Sequence, residues 1–264
     1  MTRASPKRLP VIAAWVGAIC CGLLAVGVFF PARWLQAWVG QASAQHVQWI
    51  HTTGSIWQGQ TQWRLTGGDG ANDAQVLPGL WSWTLRPSWQ AGPALTLRVE
   101  ATCCLATALQ LVLRPRLNQA PQWQLSDVQL ALPLNVLQGL GTPWNTLQLQ
   151  GRLVLRSQGL RSNGPDATQG QLTLSARDVA SRLSTVTPLG DYEASIRWAP
   201  KQLPQVSLQT LSGHLQLQGQ GQLAQGRLRF RGQASASADS EGALDNLLNI
   251  IGRRAGRVSL LTIG

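Results

Sequence analysis

Residues 147–155 read LQLQGRLVL, and residues 213–223 read GHLQLQGQGQL. In the first stretch Leu147, Leu149, Leu153 and Leu155 are separated by Gln148, Gln150, Arg152 and Val154. In the second, Leu215 and Leu217 alternate with Gln216 and Gln218. Successive side chains of an extended chain point to opposite faces, so a period of two predicts strands with one apolar and one polar face. The same pattern returns where Leu172 and Leu174 alternate with Gln171, Thr173 and Ser175, and where Leu228 and Phe230 sit between Arg227, Arg229 and Arg231. Further strands are predicted over 60–66, 80–86, 95–100, 109–114, 122–132, 192–198 and 206–210.

Gly67-Gly68, Pro78-Gly79, Gly92-Pro93, Asn163-Gly164-Pro165 and Pro188 punctuate these runs. Such turn signals return every roughly 10 to 20 residues, too close to fit a crossover helix between each pair of strands, which disfavours a parallel α/β sheet. One-sided strands suit antiparallel sheets with one wet face. The prediction is a mainly β chain: an elongated, curved antiparallel sheet, half-barrel or groove-like, with one or two short helices. Gly219 and Gly221 inside one alternating run predict a bulge or a bent strand. One helix is predicted over Leu134–Leu140, between Pro133 and Gly141. A second is predicted over 241–251, where Leu244, Leu247, Leu248 and Ile251 share one helical face. Asp239 or Ser240 could cap its start, Gly252 could end it, and Arg253 and Arg254 would complement its C-terminus. A G-x-L-x-L-x-G-x-L texture recurs at unequal spacings, which excludes a regular solenoid.

Outward from this sheet, the N-terminus changes character. Residues 9–30, LPVIAAWVGAICCGLLAVGVFF, carry no charge. About 20 helical residues cross a ~30 Å hydrocarbon core. Arg3, Lys7 and Arg8 precede the block and only Arg33 follows closely, so the N-terminus is expected in the cytoplasm and the bulk outside. Trp34 and Trp38 fall where interfacial aromatics are favoured. A cleaved signal peptide is the competing reading, but Ala42-Ser43-Ala44 lies too far beyond the block for ordinary cleavage. The expected organisation is a cytoplasmic N-terminus (1–8), a transmembrane helix (9–30), a juxtamembrane linker (31–45) and a periplasmic β-rich domain (46–264). The expected location is a bacterial inner membrane, crossed once.

Composition narrows the function. Only 12% of the 264 residues are charged and 44% are apolar, where a typical chain has about 25% charged residues. The 22 basic residues outnumber 11 acidic ones, for a net charge of +11. Four of the basic residues are explained by membrane topology. The others mostly alternate with Leu along strands, so they are solvated faces first. Export disfavours nucleic acid. The densest face, Arg227, Arg229 and Arg231, could meet a partner protein or anionic lipid headgroups.

Chemistry of the enzymatic kind does not assemble. Asp191 and Glu193 flank Tyr192 and share one strand face, but a general acid–base pair also needs a pocket. His46, His51 and His214 do not have metal-ligand spacing. Ser55 lacks a nucleophile elbow, and no phosphate-binding loop is present. The chain is therefore read as a non-enzyme without catalytic, cofactor-binding or metal residues. Cys103 and Cys104 are adjacent, and in a strand they would face opposite sides, a poor disulfide pair.

An ordered set of motifs remains. Phe30-Pro31-Ala32-Arg33-Trp34 follows the apolar block. Then come Gly54-Ser55-Ile56-Trp57-Gln58-Gly59, a G-[ST]-x-W-x-G pattern, and Leu80-Trp81-Ser82-Trp83-Thr84-Leu85-Arg86-Pro87. Pro188-Leu189-Gly190-Asp191-Tyr192 follows, and the chain ends in Leu260-Leu261-Thr262-Ile263-Gly264. In order and spacing this resembles the protein N family of the bacterial type II secretion system, over nearly the whole chain. The resemblance implies an inner-membrane protein with a periplasmic domain, accessory to the secretion apparatus, whose partners are other components of that apparatus. It marks Gly54, Trp57, Gly59, Trp83, Pro87, Gly190, Tyr192 and Gly264 as structural positions. Gly54 and Gly59 would permit a tight turn, and Trp57 would bury its ring against the sheet as a core anchor. The rival reading is an envelope lipid-handling module of the AsmA-like kind, with an apolar β-groove open to lipid. It rests on analogy of fold.

Overall fold

The computed structural model describes residues 14–15, 17–18, 30–68, 73–89, 92–164, 166–240 and 242–264. The expected span 9–30 lies outside the described residues, apart from Ala14, Trp15, Gly17 and Ala18, which are helical, and Phe30. Among the described residues no helix is long and apolar enough to cross a membrane.

Among the described residues, one antiparallel sheet of 16 strands accounts for most of the fold. Its main path is β1 (Val47–Gly54), β2 (Gln58–Leu65), β4 (Trp81–Ser88), β5 (Ala94–Ala101), β6 (Leu109–Arg114), β7 (Gln122–Leu125), β9 (Leu149–Ser162) and β10 (Thr168–Ser181). It continues through β11 (Gly190–Trp198), β12 (Gln205–Gly213), β13 (Leu215–Ala224), β14 (Arg227–Ala236), β16 (Val258–Ile263) and β15 (Arg253–Ala255). Two short strands sit off this path: β3 (Gln75–Val76) pairs with β2, and β8 (Val128–Pro133) pairs with β9. The sheet is open, with β1 and β15 as its edges. The expected mainly β antiparallel architecture is thus present as a single open meander.

Register confirms the two-faced strands. Directly opposed residues share a face, and Leu130, Leu155, Leu174, Ala194, Leu208, Gly219, Gly232 and Leu261 form one continuous rung across eight strands. The next rung lies on the opposite face and reads Gln129, Arg156, Thr173, Ser195, Ser207, Gln220, Arg231 and Thr262. Every Leu in the first rung therefore points away from every Gln and Arg in the second.

Several local expectations are corrected. β13 carries Gly219 and Gly221 without a register shift toward either neighbour, so neither marks a bulge. They make room for Phe230: a Cβ on Gly219 would come within 2.3 Å of the Phe230 ring. The run 122–132 breaks into β7 and β8, and Asp127 Oδ1 accepts a hydrogen bond from the Gly159 N–H at 2.7 Å there. Leu134–Leu140 is helical over the expected range, with 3-10 geometry. The last helix starts at Asp245, later than expected, and runs to Ile251 without a side-chain cap. Ala238–Ser240 forms a separate turn, and Arg253 and Arg254 enter β15, where Arg254 pairs with Asp245. Within the linker 31–45, residues Arg33–Ala42 are helical and pack beside β1. Cys103 and Cys104 form a disulfide with each other. They lie in the turn after β5 and not in a strand, so the strand geometry that argued against pairing does not apply.

The core has two centres. Around β4 and β5, Leu77, Trp81, Ala101 and Cys104 are buried against Trp63, Leu65 and Val99. Around β9 to β14, Leu134, Leu147, Leu153, Val179, Leu189, Tyr192, Leu215 and Ala234 are buried against Leu244, Leu247 and Leu248 of the C-terminal segment. Short helices thus cover the apolar face over the C-terminal half of the sheet.

Candidate functional site

Three features could serve function: a tryptophan-clamped turn, an apolar cavity and a basic face. The turn is built by the G-x-x-W-x-G motif. Gly54 pairs with Gly59, and Gly59 pairs in turn with Trp83. A Cβ on Gly59 would stand 2.4 Å from the Thr53 carbonyl oxygen and 2.5 Å from the Trp83 ring. Glycine is required there because the indole lies on the backbone itself. The Trp83 Nε1–H donates to the Ile56 carbonyl at 3.2 Å, closing the turn from above. Trp81 and Trp83 are buried, whereas Trp57 is half-buried and its carbonyl accepts from the Leu85 N–H at 2.6 Å. The fully buried ring of this motif is Trp83, and Trp57 stands half-buried beside it. Trp49 stacks at 5.1 Å from Trp83 and 5.9 Å from Trp63, which lies 5.6 Å from Trp81. Pro87 is exposed at the far end of β4, opposite Leu95. Gly264 ends the chain with φ +93, and a Cβ there would meet the Leu228 carbonyl at 2.6 Å.

The second feature lies on the apolar face of β9 to β13. A half-open cavity of about 300 Å³ is lined by Leu134 and Leu137 of the 3-10 helix, Trp144 and Leu147 of the short helix Trp144–Leu147, Leu247 and Ile251 of the C-terminal helix, and Leu174, Ala194, Leu208 and Leu217 from the strands. Its wall includes Tyr192, whose hydroxyl donates to the Leu215 carbonyl at 3.0 Å and so presents no free polar atom. Burial, with a smaller contribution from the Asp191 charge, pushes the Tyr192 phenol well above its ordinary value of 10.0, so it stays neutral. Gly190 supports this arrangement: its φ is +150, and a Cβ would lie 2.3 Å from the Ser212 carbonyl and 3.2 Å from the Tyr192 hydroxyl.

The third feature is the opposite face. Arg227, Arg229 and Arg231 alternate along β14, all three exposed, opposite Ala224, Gln222 and Gln220 of β13. The structure brings the three guanidinium groups onto one face, as alternation requires. Among the described residues no ion pair engages any of them.

The carboxylates on this polar face serve the sheet. Asp191 Oδ1 accepts from the Asp178 N–H at 2.8 Å and Oδ2 accepts from Arg177 at 3.1 Å, pinning the bulge where β10 loses register with β11. The Asp178 N–H, and then the Arg177 guanidinium, hold the Asp191 carboxyl below its ordinary 3.8, with burial opposing them. A depressed carboxyl contributes stability that is present above pH 3.8 and is lost as the pH falls through the lower folded value. Asp191→Asn should therefore lower the unfolding midpoint at neutral pH, and the gap from the unmodified protein should close in acid. A gap that stays constant on acid titration would refute that assignment. Glu193 accepts from Ser175 at 3.5 Å and from Gln209 at 3.2 Å. His214 Nδ1 meets Ser240 Oγ at 2.8 Å, but Ser240 is buried. Among the described residues, no three of His, Cys, Asp and Glu could share a metal ion.

Sequence reasoning found the basic face and the motif glycines. It did not place the cavity, whose walls join the helices expected over 134–140 and 241–251 to the strands, a juxtaposition that a local pattern does not show. The profile of the family described as type II secretion system, protein N, matches residues 45–260. No curated protein and no solved structure gives a significant match. The family match spans nearly the whole sheet, from before β1 into β16, and takes in the Gly59–Trp83 clamp, Tyr192 and the basic β14 face. This chain belongs to the type II secretion system protein N family.

Proposed function

We propose that the chain is an inner-membrane component of the type II secretion system that crosses the membrane once with its N-terminus in the cytoplasm and works by docking other components from the periplasm. The observation that carries this reading is the polar face of the sheet. It runs across at least eight strands as Gln, Ser, Thr and Arg, with Arg227, Arg229 and Arg231 exposed together. Such a surface steers and orients a partner of opposite charge. Family membership makes secretion components the natural partners. Trp34 and Trp38, 61% and 66% exposed, stand one turn apart on the helix Arg33–Ala42 and suit an interfacial position beside a membrane. The Cys103–Cys104 disulfide suits an oxidising compartment.

Docking by the face is favoured over strand addition at an edge. β15 is three residues long and carries Arg253 and Arg254, and β1 has the helix Arg33–Ala42 beside it. Short, charged or covered edges resist further pairing. A photo-crosslinking residue at Gln220 should therefore give adducts to secretion components in the native host, and one at Gln48 should not. Charge reversal at Arg227, Arg229 and Arg231 together should weaken association about tenfold or more, with a lower salt dependence. Adducts at Gln48 alone, or association indifferent to the reversal, would defeat docking by this face.

A further inference from the structure

The N-terminal segment joins the sheet at one end. Pro31 bridges Ser55 in the antiparallel sense, the Ala32 N–H donates to the Gly54 carbonyl at 3.2 Å, and the Ile56 N–H donates to the Phe30 carbonyl at 3.0 Å. β1 runs toward the Gly54–Gly59 turn, so Phe30 to Ala32 run away from it and the chain enters from beyond that turn. β4 does not stop there. Its Leu85 N–H reaches the Trp57 carbonyl, and Arg86 to Ser88 carry the strand about 10 Å farther. The neighbouring strands keep level with it: Ser88 opposes Ala94, Leu95 opposes Leu113, and Arg114 opposes Gln122. Two adjacent loop ends, β4–β5 and β6–β7, therefore project past the turn on the side from which the chain arrives.

We propose that these two loop ends rest on the anionic phospholipid leaflet beside the anchor, with Trp89 and Leu117 at headgroup level and Arg86, Arg114 and Arg116 against the phosphates. The inference rests on residues 9–30 being the membrane anchor proposed above.

The side chains at these ends suit that surface. Single exposed apolar residues are ordinary. Here, however, the two most exposed large apolar side chains among the described residues, Leu117 at 96% and Trp89 at 74%, fall at neighbouring tips. Residues 86–95 and 113–122 hold Arg86, Arg114 and Arg116 and no Asp or Glu. Among the described residues no ion pair engages any of the three. Tryptophan is favoured at a membrane interface, and basic residues close to an anionic leaflet each add to its attraction. An anchored chain holds its tips beside the leaflet at high effective concentration, so a modest contact per residue suffices.

The test uses the full chain in nanodiscs of phosphatidylethanolamine and phosphatidylglycerol, with a trace of phosphatidylglycerol carrying a diazirine near the glycerol end of one acyl chain. After illumination, mass spectrometry should find adducts on peptides bearing Trp89 and Leu117 as well as on 9–30, and none at 102–108, the opposite end of β5 and β6. Exchanging labelled and unlabelled phosphatidylglycerol for phosphatidylcholine should lower the tip adducts about tenfold or more and spare those on 9–30, a result that needs no variant to fold. The triple change Arg86→Gln, Arg114→Gln and Arg116→Gln should do the same in phosphatidylglycerol. Adducts on 9–30 without adducts at the tips would overturn the proposal and leave the anchor standing. Adducts on neither would remove the anchor and the proposal together. Tip adducts indifferent to lipid charge, or matched at 102–108, would overturn it too. So would a photo-crosslinking residue at Leu117 that captures protein and no lipid in the native host. Charge reversal on β14 leaves these readouts untouched, so the tips and the docking face fail separately.

Discussion

Replacing Gly59 by valine is expected to cost the domain about 3 kcal/mol or more, at the upper end of what overpacking usually does. The reason is specific to the site. The new Cβ would sit 2.4 Å from the Thr53 carbonyl oxygen, which belongs to the paired strand and cannot rotate away, and 2.5 Å from the Trp83 ring. Trp83→Ala attacks the same clamp from the other side and should cost about 3–5 kcal/mol through lost burial and an unfilled hole. The two changes touch one contact, so their costs should not add. In Trp83→Ala the ring no longer opposes a side chain at Gly59, and only the clash with Thr53 remains. Denaturant unfolding of the four proteins, read by circular dichroism, measures the coupling. Strict additivity would show that Gly59 and Trp83 are held by different neighbours.

Leu248→Ala is expected to cost about 2–5 kcal/mol. Leu248 is 1% exposed, beside Leu244 at 0%, and its carbonyl accepts the Ser259 hydroxyl at 2.5 Å. Ser259, wholly buried in β16, thereby ties the last turn of the helix Asp245–Ile251 to the sheet, while Arg254 holds Asp245 at its start. A helix of seven residues has no stability of its own and exists by this docking. Truncation at Leu248 should loosen the helix and open the adjoining cavity. Hydrogen exchange should then rise at residues 245–251 well before it rises in β9 to β11. Uniform exchange across both regions would mean the helix is not a separable cover.

The sheet was legible where chemistry repeats along the strand. Leu153, Leu174 and Leu217 announced their face because the period of two leaves no other regular structure. Strand β1 was not legible: VQWIHTTG alternates poorly, and His51 takes a positive φ where the register shifts before Thr53. Gly219 and Gly221 suggest a bulge or a bend, and there is no bulge, because a single strand does not show what lies across it. The answer was Phe230, one hairpin away. The objection to a Cys103–Cys104 pair holds only for strand geometry, and the two lie in the turn after β5, between the predicted strands. Within the G-x-x-W-x-G motif the pattern points to Trp57, while the most deeply buried ring at this turn, Trp83, comes from the neighbouring strand and shows only in the fold. The basic β14 face could be read directly. The cavity could not, because its roof joins Leu134, Leu147 and Leu247, residues that only the tertiary fold brings together.

The meander has a consequence for how the molecule is made. Its strands stand side by side in almost the order in which they leave the ribosome. Each new strand finds its partner already emerged, so loop closure stays short at nearly every step. A closed barrel would instead keep its first strand waiting for its last. Here assembly can proceed as a growing front, starting beside the N-terminal segment and moving away from it. At any moment one sticky margin is exposed, and it advances with synthesis. The reversal at the end, where β16 adds to β14 before β15 adds to β16, places three residues with two arginines on the outermost margin. That strand is a terminator: it stops the front and leaves nothing for the next chain to extend.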